Sequence, residues 1–195
     1  MAGILAIDQA TVTGFAFAEP GCEPMWGTRR MGTPRAWEGE VYYAFREFLL
    51  ERIAALSPGA IVFEAPFVPR PDRGGKAAAL NPDVLRRGYG LIGQITEIAE
   101  RCNLGCYEDQ STEVTKFFTG NGRFPGDTRE ERRAAKKAAV VAACAARGWR
   151  VTHNEADAIA LLMFREHKLY PEASRQRRMV LKMPRGPLFE VRTTT

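Results

Sequence analysis

Three carboxylates stand where a carboxylate is expensive. Asp8 directly follows the apolar run Gly3-Ile4-Leu5-Ala6-Ile7, Glu64 follows Ala60-Ile61-Val62-Phe63, and Asp157 falls in the first turn of a helical stretch. An acid at the end of a buried run is partly desolvated, a cost that pairing, hydrogen bonding or a metal must offset. If the two runs are adjacent parallel strands, Asp8 and Glu64 meet at one end of a sheet and repel. A divalent cation removes that conflict, and an all-oxygen set suits Mg²⁺ or Mn²⁺. Taken singly, Asp8 reads as a turn former, Glu64 as a solvated strand end and Asp157 as a favourable charge at a helix N-terminus. Taken together, in a basic surround, they favour the metal.

The elements that must hold these acids are short. Residues 3–7 read as a buried strand, 9–14 as a turn, 15–18 as extended again, and Met25–Met31 as a third strand. Three strands with short links predict an antiparallel meander. A 3.6 period through Val41, Phe45, Phe48, Leu49 and Ile53 predicts a helix over about 36–56. Residues 60–63 give the next strand. The stretch 66–76, with three prolines and Gly74-Gly75 among basic residues, reads as a loop. A helix over about 82–102, a strand over 105–109, a loop over 119–128 and helices over about 128–147 and 155–168 complete the pattern. A meander followed by strand–helix alternation predicts an α/β domain with a mixed five-stranded sheet. Residues 1–170 are expected to form that domain, and 171–195 a basic C-terminal tail.

Composition narrows the function. The chain has 195 residues, 45% hydrophobic and 26% charged, as an ordinary globular domain does. The formal charge of +5 is unevenly spread: residues 111–150 carry +5 and 171–195 carry +4, against −4 for the rest. Two basic stretches around an acidic body suit a polyanion-binding rim about a carboxylate centre. Cys22, Cys102, Cys106 and Cys144 form no Cys-x-x-Cys, and with only His153 and His167 beside them a zinc cluster is not expected. The N-terminus lacks a basic n-region and no apolar run is long enough to span a bilayer. An intracellular, cytoplasmic protein is therefore expected, with no membrane partner and no small-molecule cofactor.

Five segments in order carry a resemblance over about residues 3–168. They are Gly3-Ile-Leu-Ala-Ile-Asp8-Gln-Ala-Thr-Val-Thr-Gly14, Ile61-Val-Phe-Glu64-Ala-Pro-Phe67, Leu85-Arg-Arg87-Gly88, Thr112-Glu-Val-Thr-Lys116-Phe-Phe-Thr-Gly120-Asn-Gly122, and Asn154-Glu-Ala-Asp157. In these the chain resembles the RuvC-type Holliday junction resolvases of the ribonuclease H-like superfamily, in the divergent form common in phages and prophages. The resemblance implies a ribonuclease H-like fold, a homodimer, and cleavage of branched DNA such as four-way junctions in a bacterial or phage-infected cell.

It also implies site residues. The family's four acidic-type positions fall on Asp8, Glu64, Asn154 and Asp157, and Asn154 departs from the usual Asp or His. Glu155 and His153 flank it as alternative ligands. The i, i+3 spacing puts Asn154 and Asp157 on one face if the helix has begun by Asn154. Two cations would activate water and stabilise the departing 3′-oxygen, so no protein nucleophile is needed. Lys116 matches a family lysine near the scissile phosphate. Phe67 matches an aromatic that stacks on bases at the junction centre. Arg70, Arg73, Lys76, Arg86, Arg87, Arg123, Lys136 and Lys137 are expected to meet phosphates without reading sequence. A ribonuclease H-like enzyme for flaps, forks or RNA, and a junction-binding protein without cleavage, remain alternatives. An actin-like kinase shares the first-strand aspartate, but the chain is short for its duplicated domains.

Overall fold

The computed structural model describes residues 2–33, 35–66 and 82–182, with side chains given through Arg177. Five strands, β1 (Ile4–Asp8), β2 (Val12–Ala18), β3 (Met25–Arg30), β4 (Ala60–Glu64) and β5 (Gly105–Asp109), form one sheet in the order β3-β2-β1-β4-β5. β1 pairs antiparallel with β2 and parallel with β4, and β4 pairs parallel with β5. The expected mixed five-stranded sheet is present.

Period-two alternation sorts the strand residues between two cores. Leu5, Ile7, Ile61 and Phe63 face α1 (Glu38–Leu56) and α2 (Pro82–Arg101), where they meet Val41, Phe45, Phe48, Leu49, Leu91 and Ile95. Ile4, Ala6, Ala16, Ala18 and Val62 face the other layer, led by α5 (His153–Leu169). The small residues on that face let α5 lie close to β1 and β2. Its run Ala158–Phe164 is buried on every side, which is why it reads as continuous apolar sequence and shows little amphipathic period. Burying each Leu or Ile here contributes about 1.5–3 kcal/mol.

Two local features differ from the sequence expectations. A helix α3 (Ser111–Thr119), read as motif alone, follows β5 directly and buries Val114, Thr115 and Phe118. It ends on Gly120, whose φ of 79° gives the left-handed C-cap that glycine adopts without a Cβ penalty. The Gly120-Asn-Gly122 segment is thus a helix stop. Helix α4 (Arg129–Ala145) opens with a capping box between Thr128 and Glu131. The expected tail begins with a packed helix, α6 (Pro171–Lys182). Arg177 is 5% exposed and pairs with Glu166 at 3.0 Å, while Glu166 also accepts the Gly21 N–H at 2.6 Å. Arg177, one of the basic residues of the expected tail, clamps α6 to α5 and the β2–β3 turn, donating also to the Glu19 carbonyl at 3.2 Å.

Candidate active site

The parallel β1–β4 ladder pairs Ile7 with Phe63, so Asp8 and Glu64 follow one another off the same edge of the sheet. By strand alternation both side chains share the face that packs on α5. Across β1, Asp8 pairs with Gly14 of β2. A Cβ at Gly14 would stand 2.1 Å from the carbonyl oxygen of Asn154 and 2.5 Å from its carbonyl carbon. Glycine is therefore what lets the first turn of α5 settle against β2. Asn154 Nδ2 then donates to the Val12 carbonyl at 3.0 Å, tying the helix start to the strand beside Asp8. Helix α5 begins at His153, one residue before Asn154, so Asn154 and Asp157 stand one turn apart on a common face.

Electrostatics record the gathering. Burial pushes the Asp8 carboxyl up to about 8, helped by Asp157 and Glu64 and opposed by Lys137 and Lys136. Burial likewise raises Asp157 to about 6, with Glu64 adding to it and Lys136, Lys137 and His153 opposing it. Asp8 and Asp157 are thus desolvated with the charge of Glu64 acting on both, and two lysines of α4 act on them in the opposite sense. Lys136 Nζ also bonds to Ser111 Oγ at the start of α3, which aims this lysine across the gap between the helices.

Of the other expected residues, some are engaged in the fold, some are exposed and some lie outside the described residues. Glu155 accepts from the Thr152 N–H at 2.7 Å and its hydroxyl at 2.9 Å, so it is engaged as the cap of α5. His153 is exposed. Lys116 lies exposed on α3, and the lysines acting on Asp8 and Asp157 are Lys136 and Lys137. Arg86 is engaged by Glu38 at 3.0 Å and Asp83 at 2.9 Å. Arg87 Nη1 reaches Thr11 Oγ1 at 3.4 Å, which puts it over the β1–β2 turn. Arg123 is exposed between α3 and α4. Phe67, Arg70, Arg73 and Lys76 lie outside the described residues.

Two further residues belong to this edge of the sheet and are not singled out by the sequence motifs. Asp109 ends β5 and pairs in register with Glu64, so the strand-end rule that marks Asp8 and Glu64 applies to it equally. Gln9 Nε2 donates to the Glu64 carbonyl at 2.6 Å, extending the β1–β4 connection one step beyond the ladder. No sequence pattern signals that contact.

The chemistry of the expected donor set is of the kind a hard divalent cation takes. It consists of carboxylate and amide oxygens, and Asp8 and Asp157 are raised by burial first and by neighbouring acids second, a setting that a positive charge would relieve. Gln9 Oε1 is a further buried oxygen with no hydrogen-bond partner among the described residues. Among those residues no three His, Cys, Asp or Glu side chains are already drawn together at metal-holding spacing.

This mixed five-stranded sheet flanked by helices is the fold of solved RuvC structures. No protein-family profile and no curated protein sequence matches the chain. Solved structures do. T. thermophilus RuvC in complex with a Holliday junction substrate is similar at 17% identity, with a TM-score of 0.60, over 88% of this chain and 95% of that one. A second T. thermophilus RuvC structure matches at 18% identity and 0.56, over 85% and 95%. The yeast mitochondrial Holliday junction resolvase Ydc2 matches at 12% identity and 0.51, over 91% and 79%. Among the described residues, no helix is long and apolar enough to cross a membrane.

Proposed function

We propose that this protein is a divalent-metal-dependent endodeoxyribonuclease that cuts four-way or otherwise branched DNA. The observation that carries the reading is the register that ends β1 and β4 on Asp8 and Glu64 side by side, with Asp157 near enough to act on Asp8 and with Lys136 and Lys137 opposing them. The RuvC-type fold supports it, since one structural neighbour is a resolvase bound to a junction.

Asp8, Glu64 and Asp157, with the amide oxygen of Asn154, would hold one or two Mg²⁺ or Mn²⁺ ions, which when bound activate water and stabilise a departing 3′-oxygen. The chain's own residues do the rest. Gly14 and the Asn154–Val12 bond hold the start of α5 against β2, so that the acids from sheet and helix stay aligned. Lys136 and Lys137 offset the acids and offer ammonium groups to a phosphate entering beside them. Glu155 stays on its cap and is left out of the ligand set. Arg87 and Arg123 extend the basic rim along the DNA arms. A junction has two-fold symmetry and needs paired nicks, so the acting form is a homodimer with two such sites.

A panel of labelled substrates tests this: a four-way junction, a fork, a flap, an RNA–DNA hybrid and linear duplex, each with Mg²⁺ or Mn²⁺. Preferential nicking of the junction supports the proposal. Equal cutting of linear duplex contradicts it, and junction binding without nicking in Mn²⁺ assigns a binding role instead.

A further inference from the structure

Ser111 opens α3 two residues after Asp109, whose register partner in the sheet is Glu64. Its place is fixed from both sides. The Ala65 N–H donates to the Asp109 carbonyl at 2.9 Å, which keeps β5 joined to β4 past Glu64, and Arg165 and Lys168 hold the Asp109 carboxylate to α5. On the other side, the Ser111 carbonyl accepts the Thr115 hydroxyl at 2.7 Å, one turn along α3, where Val114 and Thr115 are buried. Lys136 approaches this fixed point from α4. It stands at i, i+4, i+8 with the buried Val140 and Cys144, so its stem leaves the packed face of that helix. A lysine stem is flexible, and its ammonium carries three donors and no acceptor. Nζ therefore donates to Ser111 Oγ, which engages one of the three. The bond singles out Lys136: Lys137 acts on the same two acids, Asp8 and Asp157, and is not part of it.

We propose that Ser111 is a positioning residue for the nuclease reaction, holding the Lys136 ammonium at the sheet edge where a phosphate entering beside the acids meets it. This rests on the metal-nuclease reading. Ordering a long side chain is a cost that binding otherwise bears, and the Ser111 bond meets it before DNA arrives. A group that offsets charge in a transition state acts through its placement, so releasing Lys136 should lower the rate even though the charge remains. Lys137, outside the bond, adds charge to the rim without that fixed placement.

The test is junction nicking in Mn²⁺ for wild type, Ser111→Ala, Ser111→Thr, Lys136→Ala, Lys137→Ala, and Ser111→Ala combined with each lysine variant. Ser111→Ala should lower the rate at saturating junction about 10-fold. Ser111→Thr keeps the hydroxyl and should stay within about threefold of wild type. On the Lys136→Ala background, Ser111→Ala should change the rate by less than about twofold, whereas on the Lys137→Ala background its full loss should persist. A wild-type rate in Ser111→Ala overturns the proposal, and with a lowered Tm it would mark the bond as a staple between α3 and α4. An equal loss on the Lys136→Ala background also overturns it, because the effect would not run through Lys136. Junction affinity is read for the same set in Ca²⁺ without Mn²⁺: Ser111→Ala should weaken it about threefold, and only where Lys136 is present. If wild type nicks no branched substrate, the nuclease reading fails and the affinities decide alone. Unchanged affinity in Ser111→Ala, or an equal loss without Lys136, then overturns the positioning role.

Discussion

Glu64 and Asp109 face each other in the β4–β5 ladder, yet they live in opposite electrostatic settings. Arg165 grips Asp109 with two prongs, Nε to Oδ2 at 3.0 Å and Nη2 to Oδ1 at 2.7 Å, and Lys168 adds a third contact at 3.1 Å. Glu64 has no such ion pair among the described residues and adds instead to the field on Asp8 and Asp157. Neighbouring acids on one sheet edge are thereby sorted, one to structure and one to the site.

That sorting predicts contrasting variants. Asp109→Asn leaves Arg165 buried without its counter-charge and should cost about 3–5 kcal/mol, or roughly 2–4 °C of Tm per kcal/mol at this size. Glu64→Gln should leave Tm nearly unchanged and abolish metal-dependent nicking. Thermal melts alongside the nicking assay check both. A stable Asp109→Asn variant would show that the pair contributes little.

The raised pKa of Asp8 predicts a pH dependence of stability. A carboxyl whose folded pKa of about 8 lies above its unfolded value binds its proton more tightly in the native state. Its contribution is full at low pH and is lost as pH rises from about 4 toward 8. Without metal, the protein should melt at lower temperature at pH 8 than at pH 6, and Asp8→Asn should remove most of the difference. Melts in a chelating buffer across that range measure it. Adding Mn²⁺ at pH 8 should restore wild type but not the variant.

Gly14 predicts a steric defect with a functional readout. In Gly14→Ala the new methyl meets backbone of Asn154 at 2.1 Å, and backbone cannot swing aside as a side chain can. The start of α5 must shift, at about 1–3 kcal/mol, carrying Asn154 and Asp157 away from Asp8. Nicking should fall by more than the loss of folded protein explains, which a melt and an activity measurement on one sample separate.

Much of this arrangement is legible in the amino-acid sequence. The runs ending in Asp8 and Glu64 predict a sheet end, and the register of β1 against β4 puts both residues there. Helix α3 is harder to see because nine residues with few apolar positions give a weak period, although Val114 and Phe118 at i, i+4 are the trace it leaves. The Asp109–Arg165 and Glu166–Arg177 pairs are hidden for another reason. A charge reads as solvent-facing until a distant partner is known, and Asp109 and Arg165 are 56 residues apart. The same ambiguity sets Lys136 and Lys137 on the rim, whereas the fold brings them to the acids.

Their position predicts which cations matter for DNA. Lys136→Ala and Lys137→Ala should each lower the slope of log affinity against log salt by about 1. Arg86→Ala should leave it unchanged, because Arg86 is already held by Glu38 and Asp83. Junction titrations at several salt concentrations give the slopes.

Whether Asp8, Glu64 and Asp157 form a metal-dependent nuclease centre is tested most directly by nicking of a synthetic four-way junction in Mn²⁺, comparing wild type, wild type with chelator, and Asp8→Asn. Strand-specific nicks are expected for wild type alone, with Asp8→Asn folded and still binding the junction. Nicking that persists in chelator, or in the Asp8→Asn variant, would contradict a metal centre built on these acids.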